Sequence, residues 1–118
     1  MKILLVEDEK EICRVYEEIL NGCGYTVRSC YDGDTGTKHA LEGDYDILLL
    51  DIMLPNKDGL EILEDVHASG LTKTKKVVIL SNIEKDDVLK KATSMGALRY
   101  VIKSEVNPNE LVEIISSL

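Results

Sequence analysis

The stretch DILLLDIMLPNKDGLEIL, residues 46–63, sets an unbroken apolar run, Ile47 to Leu50, directly before the carboxylate of Asp51. Such a run suits a strand buried on both faces rather than one alternating between core and water. Pro55 and Gly59 then break the backbone, and Leu60, Leu63 and Val66 mark a helix that ends near Gly70. The fold therefore aims a carboxylate out of the end of its most hydrophobic strand, and the rest of the chain must explain why.

Working outward, short aliphatic runs alternate with helical patterns. Ile3–Val6, Thr26–Cys30, Ile47–Leu50, Val77–Leu80 and Tyr100–Ile102 read as strands. Ile12, Tyr16, Ile19, Leu20 and Cys23 recur at helical spacing, with Gly24 as a stop. Val88, Ala92 and Met95 mark another helix before Gly96. The last helix has the clearest start, with Asn107 as cap, Pro108 in the first turn and Glu110 completing a capping box. Asp34 to Glu42 is the poorest helical segment, because Gly36 interrupts it and its apolar face is thin. Apolar strands joined by helices predict an α/β fold, a doubly wound five-stranded parallel sheet covered on both faces. Right-handed crossovers place its ligands outside the carboxyl ends of the strands.

The totals fit one domain over residues 1–118. Hydrophobic residues make up 44% and charged residues 31%, the balance of a water-soluble globular chain. A net charge of −8 disfavours direct grip on nucleic acid or on an anionic membrane surface. No apolar stretch approaches membrane-spanning length, and Met1-Lys2 followed by four apolar residues does not match a signal peptide. Cys13, Cys23 and Cys30 lack metal or redox spacing and read as free thiols packed as small hydrophobes in a reducing cytoplasm.

Polar residues follow the strands in a pattern. The first strand ends in Glu7-Asp8-Glu9, the third in Asp51, the fourth in Ser81 and the fifth in Lys103. Taken singly, each has a bland explanation: a helix cap for Ser81, a half-buried strand aromatic for Tyr100, a surface salt bridge to Glu7 for Lys103. Acids, a lysine and a hydroxyl converging from separate strands are harder to explain that way. Crowded carboxylates call for a cation, and oxygen-only ligands favour a hard ion such as Mg²⁺.

In its motifs the whole chain resembles the receiver domain of two-component response regulators. The matching residues are Ile3-Leu4-Leu5-Val6-Glu7-Asp8-Glu9, Asp51 followed by Met53, Pro55 and Gly59, then Ser81, and Tyr100 three before Lys103. The resemblance implies a flavodoxin-like (βα)5 fold and a signalling switch in which Asp51 accepts a phosphoryl group from a histidine kinase or phosphotransfer protein. It implies Mg²⁺ held by Asp8, Asp51 and the main-chain carbonyl of Met53, with Glu7 acting through a water. It gives Lys103 and Ser81 the phosphoryl oxygens, and Ser81 and Tyr100 the switch. A downstream protein or output domain would read the face formed by the fourth helix, fifth strand and fifth helix. Such a domain assists its own phosphorylation and dephosphorylation but is not a multi-substrate enzyme.

Three features depart from the family pattern. Asn82 stands where a small residue is usual, Ser104 where proline is usual, and the loop to the last helix is about one residue longer. The usual lysine-proline bond is cis, which before serine would cost about 2.5–4 kcal/mol. We therefore expect a trans Lys103–Ser104 bond, Lys103 still aimed at Asp51, and Val106 filling the nearby apolar contact. The alternative in a different class is a receiver-like interaction module that is never phosphorylated. A flavin-binding domain of similar topology is disfavoured by Glu7-Asp8-Glu9, which would repel a phosphate. An aspartyl phosphatase is disfavoured by Met53, where a second Asp is needed. The sequence leaves open whether the chain stands alone or belongs to a longer regulator.

Overall fold

In the computed structural model, which describes residues 1–118, the aliphatic runs form β1 (Lys2–Val6), β2 (Thr26–Cys30), β3 (Ile47–Leu50), β4 (Lys76–Ser81) and β5 (Arg99–Ile102). They alternate with α1 (Lys10–Gly22), α2 (Gly33–Glu42), α3 (Gly59–Ala68), α4 (Asp86–Ser94) and α5 (Pro108–Ser116). Two short 3₁₀ turns, Leu71–Lys73 and Lys103–Glu105, fall outside the sequence expectation. All strand pairs are parallel, in the order β2-β1-β3-β4-β5. This is the expected doubly wound, flavodoxin-like sheet.

Strand alternation divides the core in two. Leu4, Val6, Leu48, Leu50, Val77 and Ile79 face one way, against Ala40, Ile62, Leu63, Val66 and Ala92 of α2, α3 and α4. Ile3, Leu5, Ile47, Leu49, Val78 and Leu80 face the other way, against Cys13, Tyr16 and Leu20 of α1 and Leu111 and Ile115 of α5. Both faces of β3 are buried, which is why its run shows no alternation between apolar and polar residues.

Gly36 is not an interruption in α2. A Cβ there would lie 2.6 Å from Val6 Cγ1, so the absent side chain lets α2 settle directly on β1. Asp32 caps this helix by accepting the Thr35 N–H at 2.8 Å. Its thin apolar face reflects close backbone packing, in which little side chain is needed. Capping boxes start α3 (Asp58 with Glu61) and, as expected, α5 (Asn107 with Glu110). Cys13 and Cys30 are buried as expected, but Cys23 is exposed, because it stands at the C-terminal cap of α1 where the chain turns through solvent.

The strand order reverses between β1 and β3, and at such a switch point the loops part to leave a crevice. Register does the fine placement. Val6 pairs with Leu50, so Glu7 and Asp51 leave the sheet side by side. Ser81 pairs with Ile102, which brings Lys103 out one step beyond Ser81 on the neighbouring strand.

Candidate functional site

Asp51 is held at the mouth of β3 by its own backbone and by its neighbours. Its N–H donates to the Val6 carbonyl at 3.0 Å, extending the ladder one residue past the strand. A Cβ at Gly59 would sit 2.0 Å from the Asp51 carbonyl oxygen, and the Gly59 N–H donates to the Ile52 carbonyl at 2.8 Å. The start of α3 is thus clamped against the backbone that carries the carboxylate. Asn56 takes a left-handed conformation, φ 73°, and completes the turn that Pro55 begins.

Each carboxylate oxygen of Asp51 has a donor. Oδ1 accepts the Met53 N–H at 3.3 Å, and Oδ2 accepts from Lys103 Nζ at 2.9 Å. The same ammonium donates to Glu7 Oε2 at 2.6 Å. Lys103 is 12% exposed and Glu7 fully buried, so this is no surface salt bridge. An isolated buried charge would be expensive, and the Lys103 ammonium is compensated by pairing with both acids.

Burial pushes the Glu7 carboxyl up, and repulsion from Asp51 adds to it, while the Lys103 hydrogen bond offsets only part. For Lys103, burial pulls the ammonium down, but hydrogen bonds to Glu7 and Asp51 outweigh it and leave its pKa above the ordinary value. Two acids facing one ammonium leave the site net negative before Asp8 is counted. Ligand oxygens of Glu7, Asp8 and Asp51 all lie within 4.8 Å of one another, so the three can hold a metal ion.

The site opens into a cleft of about 230 Å³ whose walls include Asp8, Asp51, Met53, Ser81, Asn82 and Lys103. Asp8 is exposed at its rim, whereas Glu7 lies behind it, fully buried. Ser81 Oγ accepts the Ile83 N–H at 3.2 Å and does not cap α4, whose cap position is Lys85. Tyr100 is half-buried, and its hydroxyl donates to the Ile83 carbonyl at 2.7 Å. Burial raises its phenol above the ordinary value. Ser81 and Tyr100 therefore meet on the two backbone groups of one residue, Ile83.

The Lys103–Ser104 bond is trans, since no peptide bond in the chain is cis. The longer loop is used as a 3₁₀ turn, and Val106 packs against the core on the α1 and α5 side. Sequence reasoning thus brought together Glu7, Asp8, Asp51, Ser81 and Lys103 as found. It missed Asn82 as a structural partner: its Oδ1 accepts the Ser104 N–H at 2.9 Å. The signal was present, because two unusual residues, each one step after a site residue, invite the question of whether they touch.

The family model for the response regulator receiver domain matches residues 3–116. Response regulator ArlR of Staphylococcus saprophyticus is 35% identical over 119 residues, covering 99% of this chain and 50% of the relative. Transcriptional regulatory protein DltR of Streptococcus agalactiae is 46% identical over 71 residues, 60% of this chain and 32% of that protein. The chain thus spans half the length of ArlR, and its match covers about a third of DltR. Among solved structures, a CheY-like receiver domain protein from Methanospirillum hungatei JF-1 superposes with a TM-score of 0.89 at 28% identity, covering 98% of this chain and 90% of that one. The BeF3-activated N-terminal receiver domain of Klebsiella pneumoniae RstA gives 0.82 at 28% identity, covering 98% and 96%. With fold, motif order and relatives in agreement, the chain belongs to the response regulator receiver domains, the phosphorylation switches of two-component systems.

Proposed function

We propose that Asp51 is the phosphoacceptor, charged by a histidine kinase or phosphotransfer protein. The supporting observation is the placement of Asp51: its carboxylate stands on a rigid strand end, in an open cleft, with Lys103 Nζ 2.9 Å away. An Asp51 oxygen attacks phosphorus; the new O–P bond forms as the donor's N–P bond breaks, and that bond's electrons stay on the imidazole nitrogen. Phosphoryl transfer asks chiefly for in-line positioning and charge neutralisation. Lys103 neutralises one phosphoryl oxygen, and the Ser81 hydroxyl, released from Ile83, hydrogen-bonds to another.

The donor set fits a hard divalent cation, because it is all oxygen and its negative charge exceeds what Lys103 balances. Asp8, Asp51 and the Met53 main-chain carbonyl would hold Mg²⁺, with Glu7 acting through a water. When bound, the ion supplies further neutralisation of the phosphoryl oxygens. Ser81 leaving Ile83 frees the Ile83 N–H, one of the two backbone groups that hold this residue of the β4–α4 loop, the other being the carbonyl bound by Tyr100, and the α4–β5–α5 face changes its affinity for a downstream protein or output domain. The domain promotes its own phosphorylation and dephosphorylation without acting as a multi-substrate enzyme, and its free thiols suit a cytoplasmic setting.

Treatment with a small phosphodonor in Mg²⁺ tests the reading by intact mass. The parent should gain one phosphoryl group, and Asp51→Asn should gain none. A parent that stays unlabelled supports a module acting through protein contacts alone.

A further inference from the structure

Asn82 and Ser104 sit in separate loops, 22 positions apart, each one residue beyond a residue of the site. Ser81 pairs with Ile102 across β4 and β5, so these loops leave the sheet as neighbours. The Ser104 N–H donates to Asn82 Oδ1 at 2.9 Å. A backbone N–H can only donate, which fixes the carboxamide oxygen as its acceptor. Apart from the ion pairs of Lys103 itself, this is the one side-chain hydrogen bond made to the Lys103–Glu105 turn. Proline at 104 would have no N–H to give, and a small side chain at 82 could not reach it.

We infer that Asn82 is a positioning residue for Lys103: it ties the turn that begins at Lys103 to the end of β4, and so holds the amine within reach of Asp51 with the peptide bond trans. Two residues that look like separate oddities are one device. A long, flexible lysine can satisfy Glu7 from several backbone positions, but reaching Glu7 and Asp51 together demands a fixed origin for the side chain. The tether supplies that origin from the strand that also carries Ser81.

This inference rests on the phosphoacceptor reading of Asp51. The test compares Asn82→Ala with the parent, in the native chain and in a Ser104→Pro background, using acetyl phosphate as donor. In the native chain Asn82→Ala should slow Asp51 phosphorylation about fivefold, the factor one net hydrogen bond carries. In the Ser104→Pro background it should not slow it, because the N–H is already gone. The Mg²⁺ dissociation constant should stay within about twofold of the parent's, as expected when an effect leaves the acid cluster intact. An unchanged or faster rate in the native chain, an equal loss in both backgrounds, or Mg²⁺ binding that weakens with the rate would overturn the proposal. Hydrogen exchange at the Ser104 amide decides the tether without any label and whether or not Ser104→Pro folds. It should be slower in the parent than in Asn82→Ala, and equal rates would overturn the tether. Failure of the parent to label Asp51 counts against the phosphoacceptor reading instead.

Discussion

Glu7 carries a carboxyl to a position with no solvent exposure and two neighbours of opposite effect, the attractive Lys103 and the repulsive Asp51. Burial wins, and its pKa rises from 4.5 to about 7. The folded chain therefore keeps a proton that the unfolded chain releases. Glu7's contribution to stability is complete below pH 4.5 and is lost as pH rises through about 7. In chelator, the melting temperature of the parent should fall from about pH 5 to pH 8 more steeply than that of Glu7→Gln; parallel curves would place the titrating group elsewhere. Asp8 and Asp51 differ in another way. Asp51 has Met53 N–H and Lys103 as donors, while Asp8 stands at the exposed rim near both acids. In chelator, Asp8→Asn should raise the melting temperature by relieving repulsion, and Asp51→Asn should lower it by leaving Lys103 one partner short. A drop for both would mean that Asp8 is already satisfied.

At the scale of elements, two glycines set how closely helices approach the site. Gly59 faces the Asp51 carbonyl backbone, which cannot move aside, whereas Gly36 faces the tip of the Val6 side chain. Gly36→Ala should cost about 1–3 kcal/mol of stability by overpacking, and Gly59→Ala more, with weaker Mg²⁺ binding because it displaces Asp51. Equal losses in urea denaturation would contradict this ranking. These contacts explain what the sequence could and could not tell. The three central strands were legible because Ile3–Val6, Ile47–Leu50 and Val77–Leu80 are aliphatic on both faces. The last helix was legible because Asn107, Pro108 and Glu110 carry their chemistry locally. α2 was obscure because it is held by an absence of side chain at Gly36, a contact visible only with β1 in place. The site residues followed from strand ends, but the Asn82–Ser104 bond joins two loops, and the two unusual residues that signalled it could be seen to touch only with β4 and β5 paired.

For the whole molecule, the acids gathered at one edge of the sheet belong to a chain of net charge −8. Folding brings together charges that the unfolded chain keeps apart, so a cation binding among them favours the folded state. At tenfold over its dissociation constant, Mg²⁺ should add roughly 1.4 kcal/mol. Asp8→Asn should remove most of that gain and Glu7→Gln less; a melting temperature indifferent to millimolar Mg²⁺ would count against the metal site. No helix is long and apolar enough to cross a membrane, and the sheet's carboxyl edge opens into a cleft at Asp51. Of the two carboxylates that Lys103 binds, only Asp51 lines the open cleft, Glu7 being fully buried, and on the reading proposed above Asp51 alone among 22 acidic side chains takes the phosphoryl group. Borohydride reduction of the phosphorylated protein, followed by peptide mapping, tests this directly, since it converts an aspartyl phosphate to homoserine. The account predicts homoserine at position 51 and nowhere else; homoserine at another aspartate, or none in a protein that has gained a phosphoryl group, would contradict it.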